Sequence, residues 1–150
     1  MSSEGESMIA CTFFGHRECP GSIKLKLKRI IVELLTNHGV NVFYVGNQGQ
    51  FDVIVRNVLQ EISEEYSYIN YAVVLAYIPQ KRSEYDDYSD TMLPEGIENV
   101  HPHYAISWRN DWMLQQSEFV ITYILHSWGC AAKYAAKAKR QGKTVINVVD

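Results

Sequence analysis

Four short stretches hold the residues best suited to grip an anion: FFGHR (13–17), GNQGQFD (46–52), SWRND (107–111) and HSWGC (126–130). Arg17 and Arg109 each offer a planar guanidinium that meets phosphate or carboxylate through two parallel, charge-assisted hydrogen bonds. Gly46 and Gly49 precede a helical pattern. A helix start carries free amides and the positive end of the dipole, and glycine lets an anion approach both. Asp52 follows in the first turn, where the dipole alone favours a carboxylate; the alternative is a contact to a ribose hydroxyl. Gly15 suits an unusual backbone angle or a close approach. Gly129 keeps the next helix start slim, and Ser127 is placed to cap it. His16, Asn47, Gln48, Asn110 and Trp128 adjoin these residues and complete the candidate ligand-binding set. GxxG alone is a weak motif, and this stretch is neither the dinucleotide GxGxxG fingerprint nor a P-loop.

Other side chains are less well arranged for chemistry. His16, Cys19, His101, His103, His126 and Cys130 lack the tight paired spacing of a zinc site, so no metal or other cofactor is expected. Ser127 or Cys130 as a nucleophile needs a partnered base and an oxyanion hole. Cys11, in an apolar run, and Cys130, among alanines, read as buried thiols. Residues 80–102 show no period and hold several acids, two prolines and a glycine. A connection so long is a lid, a binding loop or disorder. Within it Tyr85 and Tyr88 could stack on a base, and Asp86, Asp87 and Asp90 could swing in as displaced carboxylates. Trp108 and Trp112 share a helix face, as an anchor for a core or for a homodimer.

These stretches need positioning elements, and the pattern supplies them. Apolar runs predict strands at 8–15, 40–46, 71–79, 118–125 and 143–149. Helical spacing predicts a helix capped by Ser22 and stopped by Gly39, another over 51–62, a third over 103–117 and an alanine-rich one over 127–142. Residues 1–7 read as a frayed terminus. Strand–helix alternation over 150 residues predicts one α/β domain: a Rossmann-like, doubly wound three-layer sandwich with a five-stranded, mainly parallel sheet ordered 3-2-1-4-5. Ligands in such sheets bind at the carboxyl ends of the strands, where strand order reverses. Three of the stretches fall at those ends, after the first, second and fourth strands, and SWRND lies in the helix before the fourth. A net charge of −3 argues against sequence-independent nucleic-acid binding, despite the basic run Lys133, Lys137, Lys139, Arg140 and Lys143. No apolar stretch is long enough to span a bilayer and no leader pattern is evident, so a cytoplasmic protein without membrane association is expected.

Taken in order, the motifs resemble those of the SLOG superfamily, which includes the DNA-processing protein DprA/Smf and the Lonely Guy cytokinin-activating enzymes. They look most like its small bacterial YpsA-like branch. The order is GxR after the first strand, a Gly-rich loop ending in Asp52 after the second, R-N-x-x-M (109–113) before the fourth, and a glycine-containing helix start after it. The resemblance covers nearly the whole chain. It implies a nucleotide or nucleotide-derived ligand, ADP-ribose-like in type. Lonely Guy enzymes carry R-K-x-x-M and then P-G-G-x-G-T-x-x-E, whose arginine and final glutamate cleave an N-glycosidic bond. Here Arg109 and Gly129 remain, while Ala132 and Lys133 stand where glutamates belong. Stabilising an oxocarbenium-like centre needs a placed carboxylate. The expectation is therefore a non-catalytic nucleotide-binding module. The alternative is a nucleoside or nucleotide N-glycosidase, phosphoribohydrolase- or deoxyribosyltransferase-like, using a displaced carboxylate such as Asp52.

Overall fold

The computed structural model describes residues 8–79 and 88–149. The expectations for residues 1–7 and for Tyr85, Asp86 and Asp87 lie outside the described residues. In chain order the regular elements are β1 (Ala10–Gly15), α1 (Lys24–Asn37), β2 (Val42–Val45), α2 (Gln50–Glu65), β3 (Asn70–Val74), β4 (Thr91–Met92), α3 (Ala105–Gln116), β5 (Phe119–Tyr123), α4 (Cys130–Arg140) and β6 (Thr144–Asn147). The strands form one parallel sheet in the order β4-β3-β2-β1-β5-β6.

The sheet has six strands, not the expected five. The extra strand, β4, is two residues long and lies within the segment expected to be a lid, a binding loop or disorder. Its register comes from β3: Val73 N–H donates to Asp90 O at 2.7 Å and Leu75 N–H to Met92 O at 2.8 Å. Asp90 is fixed from the other side. Arg56 of α2 donates to it through Nε (2.8 Å) and Nη2 (2.5 Å), and Tyr71 Oη through a 3.1 Å bond. Asp90 is therefore a structural clamp at the sheet edge rather than a carboxylate reserved for a site.

Alternation along β1 separates two apolar layers. Cys11 and Phe13 face α1 and α2 in one cluster with Phe43, Phe51, Leu59 and Ile121. Phe14 faces α3 and α4 in the other with Val74, Met113, Leu114, Val120 and Tyr134. A strand buried on both faces reads as an unbroken apolar run, as β1 does. The tryptophans of α3 serve this core: Trp112 meets Tyr44 edge-on at 5.1 Å, and Trp108 packs with the cluster of Ala76, Ile97 and Ala105.

Helix ends differ from expectation at two starts and agree at two stops. Ser22 lies in a 3-10 turn (Gly21–Ile23), and α1 begins after Ile23 without a side-chain cap. Ser127 does not cap α4, whose N-cap is Gly129. Gly39 (φ 71°) and Gly142 (φ 79°) end α1 and α4 in the left-handed region where glycine is favoured. Cys11 and Cys19 are buried, whereas Cys130 is exposed, against expectation, because it opens α4 rather than facing its alanine stripe. Among the described residues no helix is long and apolar enough to cross a membrane.

Candidate functional site

From β1 the chain winds outward through β2, β3 and β4, then returns to place β5 on the other side of β1. Strand order reverses there, and a crevice opens where the connections after β1 and β5 leave on opposite faces. A cavity of about 540 Å3 occupies it. Gly15, His16 and Arg17 border it from the loop after β1, Gln48 and Asp52 from the start of α2, Arg109 and Asn110 from α3, and Trp128 and Gly129 from the loop after β5. Nine of the expected site residues therefore converge on one hollow. Gly46, Asn47, Gly49 and Ser127 do not border it.

Arg109 is the post of the site. It is 1% exposed, an environment arginine occupies only with partners. Its Nη1 donates to Val74 O at the end of β3 (2.8 Å) and to Asn47 Oδ1 (3.1 Å), and its Nε donates to Asn110 Oδ1 (2.9 Å). Its Nη2 takes no partner among the described residues, and Arg109 borders the cavity. Asn47 thus acts at one remove, by holding Arg109. Burial pulls the Arg109 pKa down, and the Asp52 carboxylate pushes it back. An arginine stays cationic under such a pull.

Asp52 lies in the first turn of α2, with Oδ2 accepting Gln48 N–H at 2.8 Å. Burial raises its pKa from 3.8 to about 6, against the opposing effects of that amide and of Arg109. No ion pair joins the two side chains, and both residues border the cavity.

The glycines have structural neighbours that sequence could not name. A Cβ on Gly15 would lie 2.3 Å from the Phe51 ring, so Gly15 admits the aromatic that locks α2 onto β1. A Cβ on Gly46 would come within 3.2 Å of both Asp52 Oδ2 and the Arg109 guanidinium. Gly49 (φ 90°, ψ 178°) packs against the Arg17 backbone, and Gln50 N–H donates to Arg17 O at 2.7 Å. The loop after β2 thus gives part of its helix-start hydrogen bonding to the loop after β1. The start of α4 is freer. Gly129 (φ 99°, ψ 170°) leads into Cys130, Ala131 and Ala132, whose amides meet no acceptor among the described residues. Gly129, Cys130 and Ala131 border the cavity. The Arg17 side chain is exposed at the rim and makes no bond to the described residues.

The loop after β5 is held from both sides. His16 Nε2 accepts Leu125 N–H at 2.9 Å, so the ring proton sits on Nδ1. Burial and the neighbouring His126 hold the His16 pKa down, which keeps it neutral for this role. Asn147, which sequence reasoning missed, bonds both backbone groups of Ile124, its Oδ1 accepting the amide and its Nδ2 donating to the carbonyl, each at 3.0 Å. It also accepts Thr122 Oγ1–H at 3.2 Å. Only its place as a polar residue within the apolar run VINVV hinted at this. Asn147→Ala is expected to lower unfolding free energy by about 1 kcal/mol in urea titration, and to speed amide exchange at Ile124 and Leu125 well beyond that global change.

Chemically, the cavity is bordered by a guanidinium, two residues with uncapped helix amides, Cys130 and Ala131, a carboxyl near its midpoint at pH 6 and an aromatic rim. Such groups suit an anion with an acid beside it. Among the described residues no group of three or more His, Cys, Asp or Glu side chains could hold a metal ion. No family model matches the chain, and no curated protein matches it.

Proposed function

We propose that the chain is a cytoplasmic binding module for a nucleotide or nucleotide derivative, ADP-ribose-like in type, of the SLOG kind and without catalytic activity. The observation that carries this reading is Arg109: a buried guanidinium braced by three acceptors, its Nη2 without a partner among the described residues, at the edge of a hollow that borders the uncapped start of α4. An arginine held so rigidly loses little freedom on binding and suits phosphate geometry. In this reading phosphate lies between Arg109 Nη2 and the amides of Cys130 and Ala131, Asp52 accepts from a ribose hydroxyl, and Arg17 adds charge at the rim. Three unpaired cysteines fit a reducing compartment.

The rival reading is an N-glycosidase that uses Asp52, and the Asp52 pKa near 6 favours it. One experiment separates the two. The protein is incubated with nucleoside monophosphates and ADP-ribose, followed by thermal shift and by chromatography of free base. The binder is expected to gain about 2.7 kcal/mol of stability from a ligand at a hundred times its dissociation constant, with no base released. Base release that Asp52→Asn abolishes would establish the enzyme instead, and absence of any shift would exclude both.

A further inference from the structure

Trp128 is 69% exposed at the cavity mouth, and folding gives no reason to display a tryptophan there. It is not loosely held. Its ring stacks on His126 at 3.5 Å and 11°, and His126 stacks on His16 at 3.9 Å and 19°. His16 meets Tyr123 edge-on at 6.3 Å, and Tyr123 stacks on Phe51 at 6.1 Å in the core. Five rings thus lead from a fully buried phenylalanine to a solvent-facing tryptophan. Hydrogen bonds set the middle of the pile. His126 Nδ1 lies 2.9 Å from Trp128 O; a carbonyl only accepts, so Nδ1 carries the proton and ties the histidine to the tryptophan's own backbone. His16 is fixed by Leu125 N–H.

We infer that Trp128 is the floor of a base subsite, stacking the planar ring of the nucleotide whose phosphate meets Arg109. This rests on the proposed nucleotide reading and goes beyond it by naming where the base lies and what selects it. The rim is continuous with the anion end, since Trp128, His126, Gly129 and Arg109 border one cavity. The pile holds Trp128 before a ligand arrives, so stacking costs little further order. Recognition through a ring face is tolerant of base identity, because every base has such a face. The subsite is therefore expected to take purines and pyrimidines alike, with purines tighter through their larger overlap.

The test compares wild type, Trp128→Ala and Trp128→Phe by calorimetry, using the four nucleoside 5′-monophosphates and, as a base-free probe, ribose 5-phosphate. Stacking on an aromatic side chain is worth roughly 1–3 kcal/mol per base. Trp128→Ala is expected to lower the ratio of nucleotide to ribose 5-phosphate affinity about tenfold or more, and Trp128→Phe to restore most of it. Tryptophan fluorescence should be quenched by nucleotide in wild type and much less in Trp128→Phe, although Trp108 and Trp112 remain. If nucleotides bind and Trp128→Ala leaves that ratio unchanged, the subsite is refuted while the nucleotide reading stands. If wild type binds neither nucleotide nor ribose 5-phosphate, both fall, and the exposed ring is left as a contact for another macromolecule.

Discussion

Arg109→Met is expected to cost about 3 kcal/mol of unfolding free energy and to abolish anion binding. Methionine fills much of the same volume, so the loss is polar. Val74 O, Asn47 Oδ1 and Asn110 Oδ1 lose their donor together, and a buried acceptor left unpaired costs about 1–3 kcal/mol. Asn47 is exposed and can turn to water. Val74 O, at the buried end of β3, has no such exit. In a 150-residue chain that penalty corresponds to a melting temperature lower by about 10 °C. Arg109→Lys retains the charge, but a single ammonium cannot hold acceptors on three sides, so it should fall between wild type and Arg109→Met in stability. Denaturant titration with inorganic phosphate binding as a second readout checks both. A loss below about 1 kcal/mol would show that the acceptors find other donors and that Arg109 does not brace the site.

This residue also shows where sequence reading succeeds and where it stops. That Arg109 joins the other stretches at one cavity was expected from the resemblance carried by R-N-x-x-M (109–113). That it is buried was not, because α3 hides Arg109 and Asn110 together with Met113 and Leu114, and a polar pair interrupts the apolar period. The five longer strands and four helices were legible because each carries its own run or spacing. β4 was not: two residues, Thr91 and Met92, have no period, and their strand character is imposed by β3 and by the grip of Arg56 on Asp90. Ser127 has the right chemistry for a cap, but the backbone of Gly129 decides where α4 begins. Glycine readings had the same limit. Sequence indicates that a side chain is unwelcome at positions 15, 46 and 49. Only packing tells that the neighbours are Phe51 for the first, Asp52 and Arg109 for the second and Arg17 for the third. Expectations built on fold position held better than those built on a residue's own chemistry, because the end of a parallel strand is set by topology while a cap, a thiol or an acidic loop depends on its neighbours.

Asp52→Asn is expected to stabilise the empty protein at neutral pH and to do so only there. The native carboxyl has a pKa of about 6 and the unfolded one about 3.8. Between those values the native state holds a proton that the unfolded state releases, so wild-type stability falls as pH rises from about 4 to 6 and is level above that. The full difference is about two pKa units, which at 1.36 kcal/mol each amounts to at most about 3 kcal/mol. Asparagine resembles the neutral acid: it keeps an oxygen for Gln48 N–H and carries no charge to desolvate. The gain over wild type should therefore approach its ceiling in urea titrations at pH 8 and vanish near pH 4. It should be larger on an Arg109→Met background, because the cation that eases the carboxylate's burial is then gone. A gain equal at pH 4 and pH 8, or a loss at pH 8, would mean that burial is not what displaces this titration. Stability gained by neutralising a cavity residue would also account for what the carboxylate does there. An ionised Asp52 is strained in the empty site, and a ribose hydroxyl donating to it would relieve that strain, so binding of ADP-ribose, which has no phosphate titrating near pH 6, should strengthen as pH rises toward 6 and be level above it in wild type, while binding to Asp52→Asn stays flat over the same range.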